Sequence, residues 1–253
     1  CRKFIIEKPL CNSVAQLEEI KRLIKLNRIK LWVNTPYNYS EIPKIFNRMS
    51  NVKKLGRLQS INVNGGAKCI ATNGVHYLAL SCMLFQSFPK SIIANLNNRK
   101  INPRSVDFDF LGGIAAWEFS KNRMLSISFN NFSHLNLSCL FNFQFGQAVL
   151  ENDQLKIIYF DKEQKSLIGK PTDTKYPQKT LNTSKKFEGI TKAGLDLFYN
   201  QVIYSQKDKF IFDYNVMLNL LLALFASKKN IKITNPMNRK LFNEFSNLTW
   251  KIS

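Results

Sequence analysis

The strongest constraint on the fold is a change of hydrophobic period near residue 56. Before it, two short apolar runs, Lys3–Ile6 and Ile29–Asn34, are each followed by a segment with apolar residues at helical spacing. This strand–helix–strand–helix order predicts a parallel α/β unit. After Gly56, long segments alternate apolar and polar residues with period two. Over Leu135–Phe145 the residues Leu135, Leu137, Cys139, Phe141, Phe143 and Phe145 share one face, and Asn136, Ser138, Asn142 and Gln144 share the other. Such strands predict an antiparallel meander with one apolar face.

Local signals place the elements. Ser13 and Gln16 form a capping box that opens a helix, with Val14, Leu17, Ile20 and Ile24 on one face. Pro36 stops the second strand. Ser40 caps the next helix, with Ile42, Ile45, Phe46 and Met49 inward. Leu58–Val63 reads as a strand leading to a Gly65-Gly66 loop, and Asn73 as the start of a helix to about Phe85. Ser91–Leu96 is a strand. Asn152-Asp153 is the turn of a hairpin between Gln147–Leu150 and Leu155–Phe160. Helices near Thr191–Val202 and Asp213–Ser227 are expected to cover the apolar sheet face.

Composition narrows the function. The chain has 253 residues, and 37 Lys+Arg against 17 Asp+Glu give a net charge of +20. The basic residues come as isolated pairs such as Lys53-Lys54 and Lys185-Lys186, not as runs of five or six. A solvated basic surface therefore explains the charge better than a nucleic-acid site, which only the +20 supports. That surface can still steer anionic substrates such as nucleotide sugars. A hydrophobic fraction of 45% excludes wholesale disorder. No apolar run reaches the ~18 residues of a membrane span. The longest candidate, Val216–Ala226, is interrupted by Asn219. Glu7 and Pro9 come too early for a signal peptide. The chain starts at Cys1 rather than Met, which suggests a fragment or a processed product. Cysteines at 1, 11, 69, 82 and 139 lack C-x-x-C spacing, so free thiols in a reducing cytoplasm are expected, and no zinc site.

Few residues carry chemistry by type alone. Glu7-Lys8-Pro9 ends a predicted parallel strand, where ligands of open α/β sheets bind. Lys8 there could hold a substrate oxygen or could be a surface lysine before a turn. His76 has Leu80, Met83 and Leu84 at helical spacing, so a core histidine competes with a general acid/base. His134, in a turn, reads as structural. Asp107 and Asp109 fall on one side of a predicted strand and fit a solvated face better than a cation site. H-E-x-x-H, G-x-S-x-G, G-x-G-x-x-G and G-x-x-x-x-G-K-[ST] are all absent from the sequence.

Two segments together resemble a known family. Phe4-Ile5-Ile6-Glu7-Lys8-Pro9-Leu10 resembles the E-K-P motif of the glucose–fructose oxidoreductase / inositol dehydrogenase (Gfo/Idh/MocA) family. Thr72-Asn73-Gly74-Val75-His76-Tyr77 resembles its Gly-x-His helix start, reached after a Gly-rich loop as Gly65-Gly66 is here. The resemblance implies an α/β plus α+β architecture. Residues 1–50 would be the C-terminal remnant of a Rossmann domain for NAD or NADP. Residues 51–253 would be a substrate-binding α/β domain, with a large, mostly antiparallel open sheet covered by helices on one face. It implies an oxidoreductase acting on the CH–OH group of a sugar, cyclitol or nucleotide-sugar-like molecule. Lys8 and His76 would be catalytic; Glu7, Lys8, Pro9 and Asn34 would lie at the cofactor; Lys8, Asn73 and His76 would touch substrate. No metal ligand is implied.

The chain departs from the family pattern at Thr72 and Ala79, where aspartates are frequent around the histidine, and at Tyr37-Asn38, where an arginine is. A histidine without a carboxylate neighbour is less basic. The alternative is a non-catalytic relative that binds a sugar or a protein partner through the sheet. A homo-oligomer through the broad sheet face and a cytoplasmic location complete the expectation, with neither a nucleic acid nor a membrane as partner.

Overall fold

The computed structural model describes residues 3–51, 55–99, 107–152, 154–160, 178–182, 196, 199–200, 204, 209–236, 238, 244–246 and 248–252. The first strands are β1 (Lys3–Ile6) and β2 (Lys30–Val33), joined by α1 (Val14–Leu26). They pair in parallel, Lys3 opposite Lys30 and Ile6 opposite Val33, as the sequence pattern predicts. Ser13 caps α1 by accepting from the Gln16 N–H at 3.2 Å. The return bond of the capping box is displaced by one residue, because Gln16 Oε1 accepts from the Asn12 N–H. Leu17 and Val14 are buried under the helix, and Ile20 is partly buried. A 3-10 turn over Pro36–Tyr39 then leads to α2 (Glu41–Asn51), which buries Ile42 and Phe46.

The remainder builds a nine-stranded sheet in the order β10-β9-β8-β7-β3-β6-β5-β4-β11. Its strands are β3 (Leu58–Gly65), β4 (Ser91–Arg99), β5 (Phe110–Phe119), β6 (Arg123–Phe129), β7 (Ser138–Phe143), β8 (Gly146–Glu151), β9 (Gln154–Phe160), β10 (Gln178–Asn182) and β11 (Ile233–Thr234). Every pair is antiparallel except β3 with β6. The β8–β9 hairpin closes with Glu151 opposite Gln154, so the two-residue turn at Asn152 lies where the sequence places it.

One face of the sheet is the core. Ile61, Trp117, Leu125, Ile127, Cys139, Phe141 and Ile157 are buried there. It is covered by α3 (Val75–Phe85) and α4 (Phe210–Lys229). The helix α4 is long and apolar enough to cross a membrane by composition, but 83% of its apolar window is buried within the protein. Asn219, which breaks its apolar run, is fully buried and donates back to the Asn215 carbonyl at 2.8 Å. The Asn219 carbonyl in turn accepts from the Trp117 indole at 3.2 Å. The Asn219 amide nitrogen is thereby bonded in the core, while its Oδ1 is buried with no hydrogen-bond partner among the described residues.

The opposite face of the sheet is polar and lightly charged. Ser126 donates to Asn62 at 2.7 Å, Asn142 to Ser60 at 2.9 Å and Gln147 to Asn142 at 3.0 Å across adjacent strands. Ile93, Ile114 and Met124 are exposed among them, at 52%, 57% and 41%.

Three expectations are corrected. The strand expected over Leu135–Phe145 spans only Ser138–Phe143. The Leu135 and Ser133 carbonyls instead accept from the Gly66 and Ala67 N–H groups, which holds this segment against the turn after β3. A Cβ at Gly66 would meet Leu135 N and O at 2.9 Å, so this close approach requires glycine. At the other end, Phe145 sits in the β7–β8 turn. Secondly, Asn73 does not open the helix: a π-helical turn over Ile70–Gly74 runs directly into α3. Thirdly, Asp107 and Asp109 precede β5 rather than sharing a strand face. The helix expected over residues 191–202 falls almost wholly outside the described residues. The four described cysteines are buried and free.

Candidate functional site

The C-terminal ends of two parallel strands are where an open α/β sheet offers backbone and side chains to a ligand. Here the ends of β1 and β2 carry Glu7-Lys8-Pro9 and Asn34. The β ladder extends one residue beyond β2, because the Asn34 N–H donates to the Ile6 carbonyl at 2.9 Å. Asn34 Nδ2 also donates to Glu7 Oε1 at 2.6 Å. These bonds leave Asn34 Oδ1 buried with no hydrogen-bond partner among the described residues. Behind this edge, Asp213 in the first turn of α4 is buried and accepts from the Val33 N–H at 2.9 Å. It thereby fixes the backbone immediately before Asn34.

Lys8 joins this edge to the second motif. Its ammonium donates to the Thr72 carbonyl at 2.7 Å, in the π turn that leads into α3. The Lys8–Pro9 peptide is cis. Four residues after Thr72 comes His76, in the first turn of α3. Its Nδ1 is buried without a hydrogen-bond partner among the described residues. Burial, with the Lys8 ammonium as the second cause, pulls its pKa down to about 3. At neutral pH the imidazole is therefore uncharged, able to donate one hydrogen bond and accept another. The Tyr37 ring meets His76 edge-on at 5.3 Å between centroids, and packs on Tyr77 at 5.2 Å.

Lys8, Asn34 and His76, which lie far apart in sequence, thus fall on linked segments. Asn73 is also here, but its side chain is engaged locally: Oδ1 accepts from the Cys69 N–H at 3.3 Å and from the Thr72 hydroxyl at 3.5 Å. Thr72 contributes its carbonyl to Lys8. Ala79 is fully buried in the core. The sequence marks Tyr37 only as a departure from the resembled pattern and gives it no role. It follows β2 at the position of the absent family arginine, and no periodicity marks it. The available signal was its place just past a parallel strand end. Tyr37, Lys68, Asn73, Tyr77, Asn136 and Glu151 border a cleft of ≈ 250 Å³, whose lining does not include Lys8, Asn34 or His76.

No family model and no curated protein matches the chain. Solved structures do. An oxidoreductase from Agrobacterium radiobacter, in complex with NAD+, L-tartaric acid and magnesium, is 10% identical with a TM-score of 0.65, over 91% of this chain and 72% of that one. An NAD-binding protein from Listeria innocua is 15% identical with a TM-score of 0.65, over 92% and 72%. The transcriptional regulator Gal80p from Kluyveromyces lactis is 13% identical with a TM-score of 0.67, over 92% and 69%. From β1 through the nine-stranded sheet, this chain shares the fold of these NAD-binding and oxidoreductase structures and of the transcriptional regulator.

Proposed function

We propose that this chain is the substrate-binding part, with the end of the dinucleotide-binding unit, of an NAD(P)-dependent oxidoreductase. Its substrate would be the CH–OH group of a sugar, cyclitol or nucleotide-sugar-like molecule. In this reading residues 1–50 belong to the dinucleotide-binding unit and residues 51–253 form the substrate domain. The observation that carries it is the link from the β1 end to the α3 start through Lys8, with Asn34 and His76 at the same edge.

The residues present fit the nicotinamide end of a dinucleotide. Asn34 Oδ1 and Asn38 Oδ1, buried and without partners among the described residues, are acceptors for a carboxamide or ribose hydroxyl. The pyrophosphate would be held outside this sequence, which contains no Gly-rich phosphate turn. The dinucleotide, when bound, supplies the hydride acceptor. Lys8 would hold the substrate oxygen, keeping its ammonium oriented through the Thr72 carbonyl. His76, neutral, would accept the hydroxyl proton at Nδ1 or Nε2 as the carbonyl forms. Tyr37 limits the room available to the imidazole. The open sheet face, with Ile93, Ile114 and Met124 exposed on a lightly charged surface, would join copies of the chain.

A second reading, binding without turnover, draws on one observation: no carboxylate among the described residues raises the basicity of His76, and burial lowers it. The experiment that separates the two uses the whole native protein. It is incubated with NAD+ or NADP+ and a panel of sugars and cyclitols while reduced nicotinamide absorbance is followed. Turnover that falls at least about 100-fold in His76→Ala, as for loss of a general base, supports the oxidoreductase. Ligand binding with no turnover on any panel member supports the binding protein.

A further inference from the structure

The cleft bordered by Tyr37, whose ring also contacts His76, carries opposite charges on separate segments. One wall is the 66–69 turn and the run into α3, which bring Lys68 and Asn73. The other is the end of β8 with the segment before β7, which bring Glu151 and Asn136. Lys68 and Glu151 are both exposed, and neither forms an ion pair with the other or with another described residue. Both walls are held by backbone bonds. Lys68 N–H donates to the Gly66 carbonyl at 2.7 Å, and Ala67 N–H to the Ser133 carbonyl at 2.9 Å. Glu151 is paired in the ladder with both Ser138 and Gln154. The two charges therefore belong to fixed backbone positions, which reduces the ordering cost of engaging them.

Charge complementarity decides what such a cleft takes. A neutral polyol leaves both charges unengaged. A simple acid meets Lys68 but faces the Glu151 carboxylate. A simple amine meets Glu151 but faces Lys68 and the field of a +20 chain. A molecule with both an ammonium and an acidic group satisfies both walls at once. The Asn136 amide and the Tyr37 ring suit a hydroxylated skeleton between them. The volume, ≈ 250 Å³, is below the roughly 300–1,000 Å³ of drug-sized pockets, so the ligand is small.

We propose that this cleft binds a hydroxylated zwitterion of the sugar amino acid class, with its ammonium toward Glu151 and its acidic group toward Lys68. The proposal rests on the reading that this cleft, joined to His76 through Tyr37, belongs to the substrate side of the site.

The test is calorimetric titration of the whole native protein, with and without reduced nicotinamide dinucleotide, using four probes of one skeleton: glucosaminate, gluconate, glucosamine and glucose. Glucosaminate should bind tightest. Glu151→Gln should weaken glucosaminate and glucosamine about ten-fold and leave gluconate unchanged or tighter. Lys68→Met should weaken glucosaminate and gluconate by a similar factor and spare glucosamine, the scale of one hydrogen bond to a charged group. Both residues are exposed on the surface, so unchanged melting temperatures will show that the variants fold. The proposal is overturned if glucose binds as tightly as glucosaminate, if the two variants weaken all probes alike, or if no probe binds at millimolar concentration. Binding with this charge pattern, together with no reduction of NAD+ or NADP+ by glucosaminate or by any sugar or cyclitol of the panel, would overturn the oxidoreductase reading and leave the zwitterion site standing.

Discussion

Acidification reads the state of His76 directly. An unfolded histidine titrates near 6.5, whereas burial and the Lys8 ammonium hold the native imidazole at about 3. Between those values the unfolded chain binds one more proton than the native protein does. Stability therefore rises with pH in this window and is lost as pH falls, by up to about 1.4 kcal/mol per unit. From pH 7 to pH 5, integrating over the unfolded histidine's titration gives a loss of about 2 kcal/mol from this one residue. The perturbation is His76→Asn, which keeps a polar side chain and removes the titration. Urea unfolding of wild type and variant at both pH values isolates the effect, because the carboxylates titrate in both proteins and cancel. Wild type should lose about 2 kcal/mol more than the variant between the two conditions. Lys8→Met should raise the His76 pKa, since Lys8 is the second cause of the depression, and the change should show below pH 5, where the native imidazole then takes up its proton earlier. Equal pH slopes in wild type and His76→Asn, or a His76 ring resonance that titrates near 6.5, would refute the desolvated-histidine argument.

Other perturbations reach the supports of the site. Asp213→Ala leaves the buried Val33 N–H without its acceptor and should cost about 2–3 kcal/mol, while Asp213→Asn, which keeps an acceptor, should cost less than half as much. Thermal melts resolve this, at about 2–4 °C per kcal/mol for a chain of this size. Gly113 has φ +108, and an added Cβ would meet the Asn95 carbonyl oxygen of the neighbouring strand. Gly113→Ala should destabilise by about 1–3 kcal/mol in the same melts, whereas a value near zero would mean that the strand does not take this conformation. Ile114→Lys on the open sheet face should dissociate an oligomer joined there without lowering the melting temperature of the monomer. Light scattering with an unchanged mass would remove that face as the interface.

The fold was legible where a period was long and its partner close by. The β1–α1–β2 unit followed from short apolar runs and the Ser13 cap, and the β8–β9 hairpin from a two-residue turn. The errors arose where a tertiary contact overrode a local pattern. Leu135 continues the alternation of β7, yet its carbonyl is taken by Gly66 and its side chain is 73% exposed. The π turn before α3 has no signature in residue type, because it is the Lys8 and Asn73 bonds that occupy its polar groups. Lys8 and His76 could be named as candidates from motifs. Their link through the Thr72 carbonyl could not, since it depends on a backbone oxygen, which every residue type has. Tyr37 was visible only as a departure from the family arginine. Its ring contact with His76 needs the packing of the 3-10 turn against α3.

The most direct test of the central claim is a crystal structure of the whole native protein with reduced nicotinamide dinucleotide and a bound polyol. The nicotinamide ring is expected against Asn34 and Lys8, its amide or ribose within hydrogen-bond distance of Asn34 Oδ1. A polyol hydroxyl is expected within hydrogen-bond distance of both Lys8 Nζ and His76. A dinucleotide bound away from the β1 and β2 ends, or a polyol that reaches neither Lys8 nor His76, would contradict the claim.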